Sequence, residues 1–349
     1  MRRIAVTTSM ILGLASAIVV GQSAWAPAQD IETGPVAIRT RPIEFTLGTP
    51  SETYGKLKWR GGLQLSSSDD RFGGFSSIVV TEDGKRLLAV SDDGWWLRMN
   101  LSYAASGQLS DISNAEMAPL LNKDGRREKR KFNRDAEALT ELTPRGPDGP
   151  VAVGFENKVR IEQYEIGKNG LPTRPTAAIP LPEAMRKGPH NAQLESLTRF
   201  ADGKFKDHLL AISENNVNKQ GNIRAWLLGD KKPLTFAFEK LETFAITDAI
   251  VLPDQSIITL ERDFSRSDRR LRMALRRFPS AGIKEGATLK GEVLLISDWP
   301  QTSIDNMEAL ATYRSPDGEQ RLLIMSDDNY NGFLQRTLLL QFALPDELG

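Results

Sequence analysis

Glu137, Glu195 and Glu308 each stand in a short acidic motif, and each is followed 19 residues later by a second acid: Glu156, Glu214 and Asp327. Two further copies are looser. Ser76-Ser77 precedes Asp92-Asp93, and Asp248 precedes Glu261 with a shorter spacing of 13 residues. The second acids close the apolar runs Val90-Ser91-Asp92-Asp93, Gly154-Phe155-Glu156, Ile212-Ser213-Glu214, Thr259-Leu260-Glu261 and Met325-Ser326-Asp327-Asp328. Carboxylates gathered in one place repel one another unless they are protonated, paired with cations or bound to a metal. An oxygen-rich set suits a hard cation, Ca²⁺ above all, which takes 6–8 oxygen ligands in flexible geometry. The amides of Asn157, Asn215, Asn216, Asn306 and Asn329 stand near enough in sequence to add carbonyl ligands. The competing reading is that the acids cap turns and pair with neighbouring arginines to hold the fold together.

Other chemistries are excluded by composition. The chain has no cysteine, hence no thiol nucleophile, no Cys-ligated zinc and no disulfide. Its two histidines, His190 and His208, allow neither a His-Glu-x-x-His site nor a His-rich metal site. His208 reads as structural, whereas His190, in a loop just before Glu195, is a candidate site residue. There is no Gly-x-Ser-x-Gly elbow, so a carboxylic esterase would have to use Ser76 or Ser77 beside an acid. Basic residues lie close to the acids: Arg134, Lys158, Arg224, Arg262 and Arg336. An arginine fork reads phosphate or carboxylate with two parallel hydrogen bonds. The run from Arg126 to Lys131 lacks interleaved aromatics and reads as a solvated loop, so no nucleic-acid partner is expected. Trp95 and Trp96 are either a packing pair or a platform beside the site.

These residues need a scaffold that repeats. The first motif positions are separated by 61, 58, 53 and 60 residues, a period long enough for one supersecondary unit per copy. Within each unit, short β-like runs such as Leu209-Leu210-Ala211-Ile212 and Leu322-Leu323-Ile324-Met325 are separated by turns such as Ala201-Asp202-Gly203 and Pro316-Asp317-Gly318. A strand carrying the first acid, a tight turn and a returning strand ending at the second acid put both acids at one end of a hairpin. Four-stranded blades fit the period, which predicts an all-β propeller of six blades, with five as the alternative. The strands near Leu57–Leu65 and Thr337–Phe342 are candidates to close the ring within a shared blade. Arg270–Arg276 alternates charged and apolar residues, which predicts a half-solvated strand with its arginines in water. An early strand is expected over Ile43–Leu47, and one helical turn over Glu183–Lys187.

Upstream of the repeats, Arg2-Arg3, an apolar stretch from Ile4 to Val20 and small residues ending at Ala28 have the pattern of a secretory signal. The expected organisation is therefore a signal peptide over 1–28, a leader over 29–53 and one propeller domain over 54–349. An uncleaved anchor is the alternative. Removal of 1–28 leaves 43 basic and 45 acidic residues, a balance that offers no global attraction to nucleic acid or anionic lipid. A periplasmic or secreted monomer, free of the membrane after cleavage, is expected.

Phe75-Ser76-Ser77-Ile78 with Ser91-Asp92-Asp93-Gly94, then Asp135-Ala136-Glu137-Ala138-Leu139-Thr140, Leu260-Glu261-Arg262-Asp263 and Asn306-Met307-Glu308-Ala309-Leu310, resemble the phytase-like family of exported bacterial proteins named for esterase-like activity. The resemblance runs over roughly 55–342. It implies a six-bladed propeller and, by looser analogy with calcium-dependent propeller phytases, hydrolysis of phosphoric esters in which calcium held by acids polarises phosphate and activates water. On this reading Glu137, Glu195 and Glu308 are catalytic. Asp92, Asp93, Glu156, Glu214, Asp248, Glu261, Asp327 and Asp328 supply metal ligands, and Arg134, Lys158 and Arg262 contact the substrate, a small anionic phosphate ester. The rival function is a non-catalytic propeller that binds a ligand or protein.

Overall fold

In the computed structural model, which describes residues 33–345 except 49, 168–170, 172, 188–192, 266 and 269, the chain winds into five sheets arranged as propeller blades, antiparallel but for the short strand Thr288–Leu289, which pairs parallel with Leu234–Phe238. From the inner strand outward, blade I is Phe75–Val80, Arg86–Ser91, Trp95–Tyr103 and Leu109–Pro119. Blade II is Ala136–Glu141, Pro150–Phe155, Arg160–Glu165 and Pro175–Ile179, and blade III is Leu194–Arg199, Leu209–Val217, Ile223–Leu228 and Leu234–Phe238. Blade IV is Ala245–Val251, Ile257–Ser265, Arg270–Phe278 and Glu292–Asp298. Blade V takes Asn306–Arg314, Gln320–Asp327 and Thr337–Ala343 from the C-terminal end of the fold and Leu57–Ser66 from its N-terminal end. The all-β propeller expected from the repeats is present, with five blades and not six. The stretch that left room for a sixth unit is spent on completing blade V and on short edge strands. Gly34–Pro35 pairs with the outer strand of blade I, and Arg39–Pro42 lies outside Leu57–Ser66. The early strand thus falls at 39–42, upstream of the expected 43–47, while the helical turn lies at Glu183–Arg186, as expected.

Each second strand is sandwiched between neighbouring blades, which explains why these strands read as continuous apolar runs. Pro150–Phe155 and Gln320–Asp327 are buried at every position. Outer strands meet water: Pro175–Ile179 is half-buried or exposed throughout. Five apolar cores result, one between each pair of adjacent blades. The third strand of blade IV departs from the expected half-solvated pattern. Arg276 is buried against Glu261, its Nε donating to Oε1 at 2.7 Å, and Arg272 stacks on the Phe244 ring at 4.6 Å. Burial deepens from half-buried Arg270, Leu271 and Arg272 to buried Met273, Ala274, Leu275 and Arg276, so Arg276 needs a partner in place of water.

One irregularity repeats in all five blades. The register of the inner strand slips against the second strand between Phe75 and Ser77, Ala136 and Ala138, Leu194 and Ser196, Ile246 and Asp248, and Met307 and Ala309. The residue left unpaired is Ser76, Glu137, Glu195, Thr247 and Glu308 in turn. A bulge of this kind re-aims a side chain at the cost of one ladder position. Here it falls at the same end of every blade.

The ring closes where Leu65 faces Thr337, Leu63 faces Leu339 and Trp59 faces Phe342. Phe342 is fully buried and meets Phe45 and Trp59 with ring centroids 5.0 Å away from each. Phe342→Ala should lower unfolding free energy by about 3–5 kcal/mol through the cavity it leaves, while Phe342→Leu should cost far less; urea titration of the two variants checks this.

Candidate functional site

The five bulges face one mouth of the propeller, where they open a cavity of about 1370 Å³. From the inner strands, Ser76, Glu137, Glu195 and Glu308 line it. On each second strand, the residue one beyond the partner of the last inner residue before the bulge contributes Asp92, Glu156, Glu214, Arg262 and Asp327. Asp135, Asp305 and Asn306 enter from just ahead of the inner strands' bulges, and Lys131 from the short helix Lys131–Arg134 between blades I and II. Below the mouth the channel narrows to a cavity of about 60 Å³ between inner strands, lined by residues such as Leu139, Leu197 and Leu310.

Blade IV breaks the acidic pattern. Its register places Thr247 where the other blades put Glu137, Glu195 or Glu308, and Arg262 where they put an acid. The pairing of Asp248 with Glu261 suggested by sequence is one residue out of step at both ends. Glu261 instead lies fully buried within the blade, accepting from Thr259 Oγ1 and Arg276 Nε, both at 2.7 Å. Asp248 lies beneath the mouth and ties blade IV to three others. It accepts from Ser196 Oγ at 3.0 Å, Ser77 Oγ at 3.2 Å, and the backbone N–H groups of Leu310 and Ala249 at 2.8 Å each. Neither side chain reaches the cavity.

Four other candidate residues also stand outside it. Asp93 is held by Arg127 and Arg134, and Arg134 is further fixed on the Lys129 carbonyl at 2.6 Å. Asp328 accepts from Thr337 Oγ1 at 3.0 Å and from the Gly74 N–H at 3.2 Å, which fastens blade V to the start of blade I. Lys158 is exposed and does not line the mouth. Trp96 is buried edge-on to Tyr164, and Trp95 carries Arg127 above its ring, so the pair packs and forms no platform. His208 contacts the Lys206 carbonyl and Asp230, away from the site, and His190 lies outside the described residues. Among the described residues no histidine lines the mouth.

The sequence reading missed Lys131, Asp135 and Asp305. Asp135 stood in view, two residues before Glu137. Lys131 was absorbed into a charge run whose other members do face solvent or Asp93. Lys131 pairs with Asp92 and lies 3.4 Å from Asp135, while Arg262 pairs with Glu308 and Asn306 and reaches Glu214 at 3.3 Å. Arg336 lies 3.3 Å from Asp305. Glycine is required at 74, where φ is +65° and a Cβ would stand 2.3 Å from Asp92 Oδ1.

These cations do not neutralise the ring. Burial, reinforced by Asp135 and Asp92, holds the Glu137 carboxyl well above the usual carboxylate range. Burial does the same at Glu195, with Glu214, Glu137 and Glu308 adding repulsion, and at Asp327, with Asp92 and Glu308. Burial pushes Glu156 up to about 7, helped by Asp135 and Glu214, and Glu308 up to about 7 against the pull of Arg262. Asp248 rises to about 8 through burial, despite its four hydrogen bonds.

Two carboxylate groups meet the geometry of a cation site. Asp135, Glu137 and Glu156 can each bring an oxygen within 4.8 Å of the others, and so can Glu156, Glu195 and Glu214. Asp92 Oδ1 and Glu308 Oε2 are buried without a hydrogen-bond donor. An all-oxygen donor set with orphaned carboxylate oxygens fits a hard divalent cation such as Ca²⁺ and suits soft metals poorly.

Among curated proteins none matches the chain. Solved structures similar to it include the WD40 domain of Neurospora crassa Pan2, 9% identical, with 85% of this chain and 98% of that one covered at a TM-score of 0.37. The phytase-like family, described as having esterase-like activity of phytase, matches residues 70–330, a span that takes in the inner strands of all five blades and every acid of the mouth. With its five bulges and its acidic mouth inside that match, this chain belongs to the phytase-like family.

Proposed function

We propose that the protein hydrolyses phosphoric esters at the acidic mouth, with a hard divalent cation, Ca²⁺ by preference, held by carboxylates of the ring. The observation that carries this reading is the pair of carboxylate groups sharing Glu156, set in one cavity with Arg262. Asp135, Glu137, Glu156, Glu195 and Glu214 would hold the cation, with Asp92, Glu308 and Asp327 completing the negative field. When bound, the cation supplies charge stabilisation to a phosphoryl oxygen and acidifies water. Arg262 orients the phosphate, since its planar fork matches two phosphate oxygens. A carboxylate whose pKa lies near 7 is suited to take a proton from attacking water and return it to the departing alcohol, and Glu308, which stands outside the cation-holding set, meets that condition. The P–O bond to the alcohol breaks, water's oxygen bonds to phosphorus, and the products are phosphate and the free alcohol. The signal-like N-terminus supports a periplasmic or secreted site of action, where the protein would work as a monomer.

One observation favours the non-catalytic alternative: Lys131, Arg262 and Arg336 are already engaged by carboxylates. A propeller that binds a cation only to satisfy its own ring would look the same. Ser76 at the mouth keeps a carboxylic ester substrate within the test.

Phosphate release from phytate and from an aryl phosphate should be calcium-dependent and abolished by excess chelator. Release unaffected by chelator would overturn the cation's role, and no release in either condition would favour the binding propeller. Glu137→Gln and Glu308→Gln should each reduce turnover by about 100-fold or more while leaving the circular dichroism spectrum unchanged; wild-type turnover in both variants would remove these residues from the mechanism.

Stability should depend on pH in a definite sense. Carboxyl pKa values raised by folding favour the protonated form in the native state. Their stabilisation is complete below about pH 4, the unfolded range. It is lost as pH rises through about 7 for Glu156 and Glu308 and about 8 for Asp248. In chelator, the melting temperature should therefore fall between about pH 5 and pH 8, and calcium should remove most of that fall. Thermal scans with and without calcium check both parts.

A further inference from the structure

The side of the mouth formed by blade IV is apolar. Phe264 and Trp299 line the cavity with 59% and 48% of their surfaces exposed, and Leu271 and Leu334 line it beside them. Strand register explains the grouping. Phe264 faces Leu271 across the hairpin, and the Trp299 N–H donates to the Leu271 carbonyl at 2.9 Å, so three adjacent chain segments present these side chains at one edge. Phe264 is two residues beyond Arg262 on the same strand. Alternation puts both on one face with Cα atoms about 6.6 Å apart. The blade that replaces the acidic pair by Thr247 and Arg262 is thus also the blade that carries the exposed rings.

The charge at the mouth limits what else can bind there. Among the described residues, nine carboxylates line the cavity against four basic side chains, Lys131, Arg262, Arg270 and Arg336. Each of the four is paired, Arg270 with Asp263 and Asp268. A ligand bearing many phosphates would meet mostly negative charge. A single phosphate is compatible with Arg262 and a bound cation. Solvated aromatic rings beside it gain by covering an apolar group.

Resting on the hydrolase reading above, we infer that the preferred substrate is a phosphate monoester of an apolar, aryl-bearing alcohol, with its phosphate at Arg262 and its ring on Phe264 and Trp299. A polyphosphorylated polyol is disfavoured. Phe264 and Trp299 are specificity-determining residues that touch the alcohol and take no part in proton transfer.

Binding can be separated from turnover with non-hydrolysable probes. Calorimetric titration in calcium should show benzylphosphonate binding the wild-type protein at least about tenfold more tightly than methylphosphonate. The Phe264→Ala/Trp299→Ala variant, which removes two solvated side chains, should bring the two probes within about threefold of each other. In kinetics, the ratio of kcat/KM for naphthyl phosphate over glycerol 2-phosphate should fall by a similar factor, mainly through KM. Equal binding of both phosphonates by wild type, or a selectivity that survives the double substitution, overturns the subsite even where ester hydrolysis is retained. Aryl selectivity that disappears in the variant, without hydrolysis of any ester, overturns the hydrolase reading and leaves the aryl site standing as a ligand site.

Discussion

Mutual repulsion among buried carboxylates is the constraint around which the molecule is arranged. Bulges on three blades aim Glu137, Glu195 and Glu308 into one mouth, and second strands deliver Asp92, Glu156, Glu214 and Asp327 beside them. Such a cluster costs free energy unless something answers its charge. Among the described residues the answers are few and local: Lys131 on the blade I side and Arg262 on blade IV. What they leave unanswered appears as protons retained to unusually high pH and as carboxylate oxygens with no donor. A fold that only needed stable blade contacts would have no reason to gather that charge, since the five apolar cores already join each blade to the next.

Blade IV shows how one residue's displacement changes the role of a whole segment. With its register shifted against the acidic pattern, Thr247 and Arg262 occupy positions that are acidic in blades II, III and V. Asp248 moves below the mouth and becomes a hub for Ser77, Ser196 and the Leu310 N–H. Glu261 turns into the blade and satisfies Arg276. The five-part ring is therefore asymmetric, acidic over most of its circumference and cationic and apolar along one side. Directional chemistry needs that asymmetry, because a uniformly charged ring would offer a ligand no preferred orientation.

Much of this was readable from the sequence, and the failures have physical causes. Repeat spacing and alternating turns identified the propeller, and the strands at Leu57–Leu65 and Thr337–Phe342 do close it. Glu137, Glu156, Glu195, Glu214, Glu308 and Asp327 converge as their common spacing required. The blade number was overcounted because a strand borrowed from the far end of the chain looks, in sequence, like part of another unit. Asp248 and Glu261 were misaligned because a bulge adds a residue without altering composition, and a shift of one residue sends a side chain to the other face. Lys131 was hidden for a different reason: its approach to Asp92 depends on how a loop folds over the mouth, which no periodicity encodes.

The shared blade also bears on how the molecule reaches its native state. Leu57–Ser66 finds its principal partner in Thr337–Ala343, more than 250 residues away along the chain. No local nucleus can form that sheet, and the entropy of closing so long a loop must be met before its contacts repay it. Blades I to IV draw their inner four strands from contiguous sequence and can form from local contacts. Docking of Leu57–Ser66 onto Thr337–Ala343 completes blade V and with it the ring that encloses the mouth. Ring closure adds Glu308 and Asp327 of blade V to the carboxylates that blades II and III already bring together, so that added repulsion opposes the closing step and not the formation of the individual hairpins.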